Sequence, residues 1–159
     1  MTLAKNEDIK LPEKTTKEIS TQETMTFVTF YMGEFLFGIP AEKIMEINKD
    51  IEITPVPLSD DYILGIMNLR GQIVTVMDLA KKVQLKTEIV PKINLIIKSE
   101  DEAPVSFVVE QVGEILEIPV AKLEKPPEKI EGLSREYIKN VYQLPDRLVL
   151  ILDVEKIIN

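Results

Sequence analysis

Asp78 and Asp153 are the first residues in this sequence that could do chemistry, because two carboxylates held in different protonation states can share acid and base work. Each ends an apolar run and precedes a short helical pattern, LAKKVQL after the first and VEKII after the second. A carboxylate capping the following turn explains the duplication, and nothing requires the two to meet. Arg70 is the second candidate. The stretch IMNLRGQIVTVMDL, Ile66 to Leu79, sets one of only three arginines between a leucine and a glycine, directly before an apolar strand. Such an arginine can bind an anion, dock a partner or pair with an acid of its own domain. Asn68 is expected to support the turn with a backbone hydrogen bond, and Gly71 to supply a positive φ or a close approach.

Other motifs carry less. Gly65 to Gly71 lacks the glycine spacing and terminal Lys-Ser or Lys-Thr of a phosphate loop, and Gly33 to Gly38 precedes no convincing helix. SEDE, Ser99 to Glu102, lacks the spaced oxygen ligands and turn glycine of a calcium loop and reads as a solvated turn. The chain has no histidine and no cysteine, which removes imidazole bases, thiolate nucleophiles, disulfides and the usual zinc sites. No catalytic residue, metal site or cofactor is expected. The net charge of -8 and the lack of a Lys/Arg cluster oppose a nucleic-acid partner. No segment reaches the apolar length of a membrane span, so direct membrane insertion is not expected.

The elements that must position these residues read as β-strands. With 45% hydrophobic and 29% charged residues, the 159-residue chain can fold as one ordinary domain or as two small ones sharing an interface. Residues 1-24 have few apolar side chains and are expected to form a disordered tail. Thr26 to Met32 and Phe35 to Ile39 predict a hairpin turning at Gly33-Glu34. AEKIMEI fits a helical turn or the start of a strand. Pro55 and Pro57 bar a central strand, and SDDYILGI predicts a helical turn capped by Ser59. IVTVMDL, INLIIKS and VSFVVEQVGEILEIPV are short Val/Ile-rich runs bounded by turn residues, and the class is all-β. The aromatic residues of the first hairpin are simplest as core. Tyr62 and Tyr137 are expected to pack their rings and expose their hydroxyls.

The chain also repeats itself. Shifted by 75 positions, Tyr62-Ile63 falls on Tyr137-Ile138, Leu69 on Leu144, and Met77-Asp78-Leu79 on Leu152-Asp153-Val154. A shift of 68 places Ile44, Glu46 and Ile47 on Val112, Glu114 and Ile115, with seven extra residues in the second linker. Two related β-subdomains, 25-86 and 87-159, are therefore expected to pack together with a groove at their junction. Where the first copy has Arg70-Gly71-Gln72 the second has Pro145-Asp146-Arg147. Ile73 to Leu79 is repeated and assigned to the barrel; Arg70 and Gly71 are not repeated and are assigned to a partner. An interaction protein is favoured over an enzyme, with a small-ligand module using the groove as the alternative.

From about Thr26 to Asn159 the chain resembles the CheW-like coupling proteins of bacterial and archaeal chemotaxis. The resemblance rests on FVTFYMGEFLFGIP, KIMEI, GIMNLRGQIVTVMDL, VSFVVEQVGEILEI and LVLILDVEKII. It implies two packed SH3-like β-barrel subdomains forming one CheW-like domain. It also implies a non-catalytic cytoplasmic adaptor that joins the cytoplasmic tip of methyl-accepting chemotaxis receptors to the histidine kinase CheA in membrane-associated arrays, through the kinase's regulatory domain. A detached regulatory domain of the kinase is a further alternative. Carried over by motif, the receptor-facing residues are Ile44, Glu46, Gly65 and Arg70, with Met67, Asn68, Leu69 and Gly71 beside them. The kinase is expected near Ile47 to Pro57, on Ile47, Ile51, Ile53 and Val56.

Overall fold

The structure, a computed structural model, describes residues 23-49, 52-100 and 103-159. The expected tail, apart from its last two residues, and Ile51 lie outside the described residues. Among the described residues ten strands follow in order: β1 (Thr24–Met32), β2 (Phe35–Pro40), β3 (Ile44–Asn48), β4 (Ile63–Leu69), β5 (Gln72–Asp78), β6 (Ile93–Ile97), β7 (Val105–Val109), β8 (Gln111–Pro119), β9 (Ile138–Gln143) and β10 (Leu148–Leu152). Two short helices, α1 (Leu79–Lys82) and α2 (Val154–Ile158), follow β5 and β10. The all-β reading holds for this order, with first strands at the expected positions.

The strands form two five-stranded sheets, β9-β10-β2-β1-β8 and β3-β6-β7-β5-β4. Their pairing is the same. In each, an antiparallel hairpin joins the sheet through one parallel contact, β2 with β10 and β7 with β5, and its other edge pairs with β8 or β3. The internal repeat is thus a repeat of architecture, but the expected boundary at residues 86/87 does not divide the sheets. The first sheet takes β1 and β2 from the start of the chain, and the second takes β6 and β7 from beyond that boundary. Each half of the chain lends its leading hairpin to the sheet of the other. A 3-10 turn at Ala41–Lys43 carries the first half across, and Glu110 alone links β7 to β8 in the second. A two-stranded hairpin cannot bury both its faces alone, and crossing over gives it cover on both.

Cover on both sides explains the composition of the central strands. Every residue of β6 and β7 is buried. On one side Leu95, Ile97, Val105 and Phe107 join Phe30, Met32, Phe37 and Ile39 of the other sheet in a core shared by the two sheets. Each such side chain contributes about 1.5–3 kcal/mol by leaving water. On the outer sides lie two smaller clusters, Phe27, Leu36, Ile118, Val149 and Ile151 on the first sheet, and Met67, Val74, Val76, Ile96 and Val108 on the second. The fully buried Ser106 hydroxyl donates to Asn94 Oδ1 at 2.7 Å, so this polar pair does not sit orphaned between apolar strands.

The connections leaving β3 and β8 return to the far edges of their own sheets. Thr54 and Ile66 exchange backbone bonds of 2.8 and 2.9 Å, and Glu124 and Val141 exchange two of 2.9 Å. The expected turn at SDDYILGI is a single one, Ile63 N–H donating to the Asp60 carbonyl at 3.0 Å as the chain enters β4, and Ser59 does not cap it: its hydroxyl donates back to the Val56 carbonyl at 3.0 Å.

Candidate functional site

Asp78 and Asp153 are helix caps. Each accepts a 3.2 Å bond through Oδ1 from the backbone N–H three residues on, Lys81 and Lys156. Their own amides donate to the Tyr62 and Tyr137 carbonyls at 2.7 and 2.9 Å, so the repeated tyrosine-to-aspartate spacing is a backbone lock made twice. The tyrosine rings do more than pack. Lys82 Nζ lies 4.1 Å from the Tyr62 ring centroid and 5.4 Å from that of Tyr137, placing one cation between a tyrosine from each half of the chain. The Tyr62 hydroxyl donates to Asp60 at 3.0 Å.

The unrepeated turn has a different geometry. Leu69 pairs with Gln72 across the β4–β5 hairpin, leaving Arg70 and Gly71 as a two-residue loop at φ 53 and 86. Positive φ at both positions is the type I′ pattern, whose twist suits a hairpin and normally favours Asn-Gly. Asn68 supports it as expected, its Oδ1 accepting from the Gly71 amide at 2.8 Å. A Cβ at Gly71 would meet nothing within 4 Å, so this glycine serves φ alone. Arg70 accepts a conformation costing about 1 kcal/mol or more, and its guanidinium donates to Glu46 Oε1. Glu46 lies on β3, the opposite edge strand of the sheet. Asn48 Nδ2 lies 3.5 Å from the other carboxylate oxygen. The Arg70 side chain keeps 71% of its surface in water against 26% for Glu46, so the pair orients the guanidinium more than it stabilises the fold.

Among the described residues the second half has no such pair. Its β9–β10 loop is longer, closed by Leu144 N–H donating to the Arg147 carbonyl at 2.8 Å and by two bonds from Gln143 Nε2. Arg147 points to Asp146 and the Tyr31 ring, and the backbone carbonyl of Glu114 accepts from the Thr29 hydroxyl.

Among the expected receptor-facing residues, Glu46, Asn68, Arg70 and Gly71 come together in this network. Ile44 is half-buried against the shared core, and Leu69 against the outer cluster of its sheet. Met67 and Gly65 do not face outward. Met67 is 6% exposed within the outer cluster. Gly65 lies buried beneath the returning connection at φ 150, where a Cβ would collide with the Thr54 carbonyl and come within 2.9 Å of Ile53 Cγ2. Ile73, assigned from sequence to the barrel, is half exposed directly opposite Asn68, on the face that Met67 does not reach. On the other expected surface Ile47 and Val56 are exposed, whereas Ile53 packs inward.

These features have relatives. A model of the CheW-like domain matches residues 26–159. The chain belongs to the CheW-like family. The chemotaxis protein CheW of Helicobacter pylori is 31% identical over 144 residues, covering 89% of this chain and 86% of that protein. That of Bacillus subtilis is 27% identical over 145 residues, with 91% and 92% covered. Among solved structures, the scaffolding protein TtCheW from Thermoanaerobacter tengcongensis superposes with a TM-score of 0.74 at 26% identity, covering 82% of this chain and 90% of that one. CheW-like proteins are scaffolds, and membership makes this chain a non-catalytic adaptor of chemotaxis. No helix among the described residues is long and apolar enough to cross a membrane.

Proposed function

We propose that this chain couples methyl-accepting chemoreceptors to the histidine kinase CheA in the cytoplasm, binding the receptor's cytoplasmic tip at the Glu46–Arg70 turn and joining receptor arrays through the kinase's regulatory domain. The observation that carries the receptor assignment is the strained, exposed Arg70, oriented by Glu46 in one half of the chain and replaced by a proline loop in the other. Ile44, Leu69 and Ile73 supply apolar contact beside the charge. A helix tip would thus meet buried apolar anchors for affinity and one cation for register. The kinase docks at Ile47 on β3 and at Val56 in the connection that follows it. We also read each sheet as a small SH3-like barrel, a reading supported by the Thr54–Ile66 and Glu124–Val141 bridges between each returning connection and the far edge strand.

Titration calorimetry of the full chain with a receptor-tip fragment and with the kinase regulatory domain tests the proposal. Saturable binding of both is expected, with Arg70→Glu weakening the receptor alone and circular dichroism unchanged. Unaltered receptor affinity in that variant would remove the assignment.

A further inference from the structure

Leu58 is fully exposed in the connection between β3 and β4, and its φ is 59. That left-handed conformation is rarely adopted by residues other than Gly, Asn and Asp. The segment around it is tied down. Thr54 is bonded in both directions to Ile66, Pro55 and Pro57 fix φ on either side of Val56, and the Ser59 hydroxyl holds the Val56 carbonyl. Val56 is itself 38% exposed.

The other half of the chain provides a control. Between Glu124 and Tyr137 the corresponding connection turns its apolar residues inward, with Leu133 in the shared core and Ile130 packed on it. Arg135 fastens that connection by donating to the Pro127 carbonyl at 2.6 Å and the Pro126 carbonyl at 3.3 Å. Where the second half fills its own core, the first holds a leucine outward on a fixed turn, in a conformation a leucine does not favour. Backbone strain kept beside a bare aliphatic side chain is a mark of presentation to a partner.

The charges nearby say what kind of partner fits. Glu52, Asp60 and Asp61 are exposed along the same connection, giving the aliphatic tip an acidic surround. This is opposite in sign to Arg70, so one partner patch does not suit both places. We propose that Leu58, with Val56 beside it, is an anchor for an apolar pocket with a basic rim on a folded protein, and that this pocket belongs to the kinase regulatory domain. The inference rests on the adaptor reading above.

The experiment compares the full chain, Leu58→Asn and Leu58→Met in titrations with the kinase regulatory domain and, separately, with the receptor-tip fragment. Asn accepts a left-handed backbone, so Leu58→Asn keeps or raises Tm while removing the apolar tip. It is expected to bind the kinase domain at least tenfold more weakly, with receptor affinity unchanged and Leu58→Met close to the parent. Asp61→Lys should slow association with the kinase domain at low salt. Equal kinase affinity for Leu58→Asn and the parent overturns the anchor and leaves the adaptor reading standing; a parent chain that binds neither partner overturns both. Self-association that depends on Leu58, with kinase binding that does not, overturns it in favour of a second copy as the occupant.

Discussion

Arg70 reaches from the hairpin turn at the end of β4 to Glu46 on β3, joining the two edge strands of one sheet through a residue held at positive φ. The pair is mostly in water on the arginine side, so its removal should cost the fold little.

Arg70→Asn separates folding from recognition. Asparagine favours the left-handed position that arginine tolerates, so thermal stability should stay within about 1 kcal/mol of the parent or rise. Affinity for the receptor-tip fragment should fall, by about 1 kcal/mol if the arginine stays at the rim and by about 2–4 kcal/mol if binding desolvates it. Calorimetry beside a thermal melt distinguishes these results, and a variant that melts early yet binds normally would assign Arg70 to the fold.

Gly65 and Gly71 stand in the same segment and should respond differently to alanine. Gly65→Ala drives a Cβ into the Thr54 carbonyl and breaks the return of the connection to β4, which predicts a loss of about 3 kcal/mol or more. Gly71→Ala meets open space and should cost about 1 kcal/mol from φ alone. Urea unfolding of the two variants measures the gap; equal losses would contradict the close approach at Gly65.

Lys82 should couple the tyrosines of the two halves. Lys82→Met keeps the aliphatic stem and loses the cation, at an expected cost of about 0.5–2 kcal/mol. A double-mutant cycle should give a larger coupling to Tyr62→Leu than to Tyr137→Leu, following the 4.1 and 5.4 Å separations. No coupling to either ring would make the arrangement incidental.

Lys43 gives a pH test. Its ammonium donates to Glu155 of α2 at 3.0 Å, and that hydrogen bond, reinforced by the charges of Glu155, Glu100 and Glu42, outweighs desolvation and raises its pKa above the ordinary lysine value. A pKa raised in the folded state stabilises fully below the unfolded-state value, about 10.4, and the contribution fades as pH climbs through the folded one. Lys43→Met should therefore melt below the parent at pH 8, with the difference closing as pH climbs past the ordinary lysine range. A difference that persists there would assign the effect to packing of the lysine stem.

Much of this was legible in the sequence because it depends on neighbours along the chain. The Val/Ile-rich runs became strands, Asp78 and Asp153 became caps, and Asn68 holds the turn it precedes. What escaped depends on pairing across strands. Residues facing each other across a hairpin share one face of the sheet, so Met67 goes inward with Val74 while Ile73 stays outward with Asn68. Nothing local to Ile73 says which. Ser59 looked like a helix cap because its reach back to Val56 requires the proline turn in three dimensions. The exchange of hairpins escaped for a similar reason: the residue-by-residue alignment of the repeat ran from β3 onward, so it was silent on which sheet the leading hairpins join.

That exchange of hairpins makes the two halves of the chain behave like clasped hands. A single cut between α1 and β6 severs the backbone but frees neither piece, since each piece still holds two strands inside the other's sheet. The nicked protein should travel as one particle in gel filtration and come apart only on unfolding. Relative motion of the sheets is constrained in the same way, because neither can shift without drawing on strands anchored in the other.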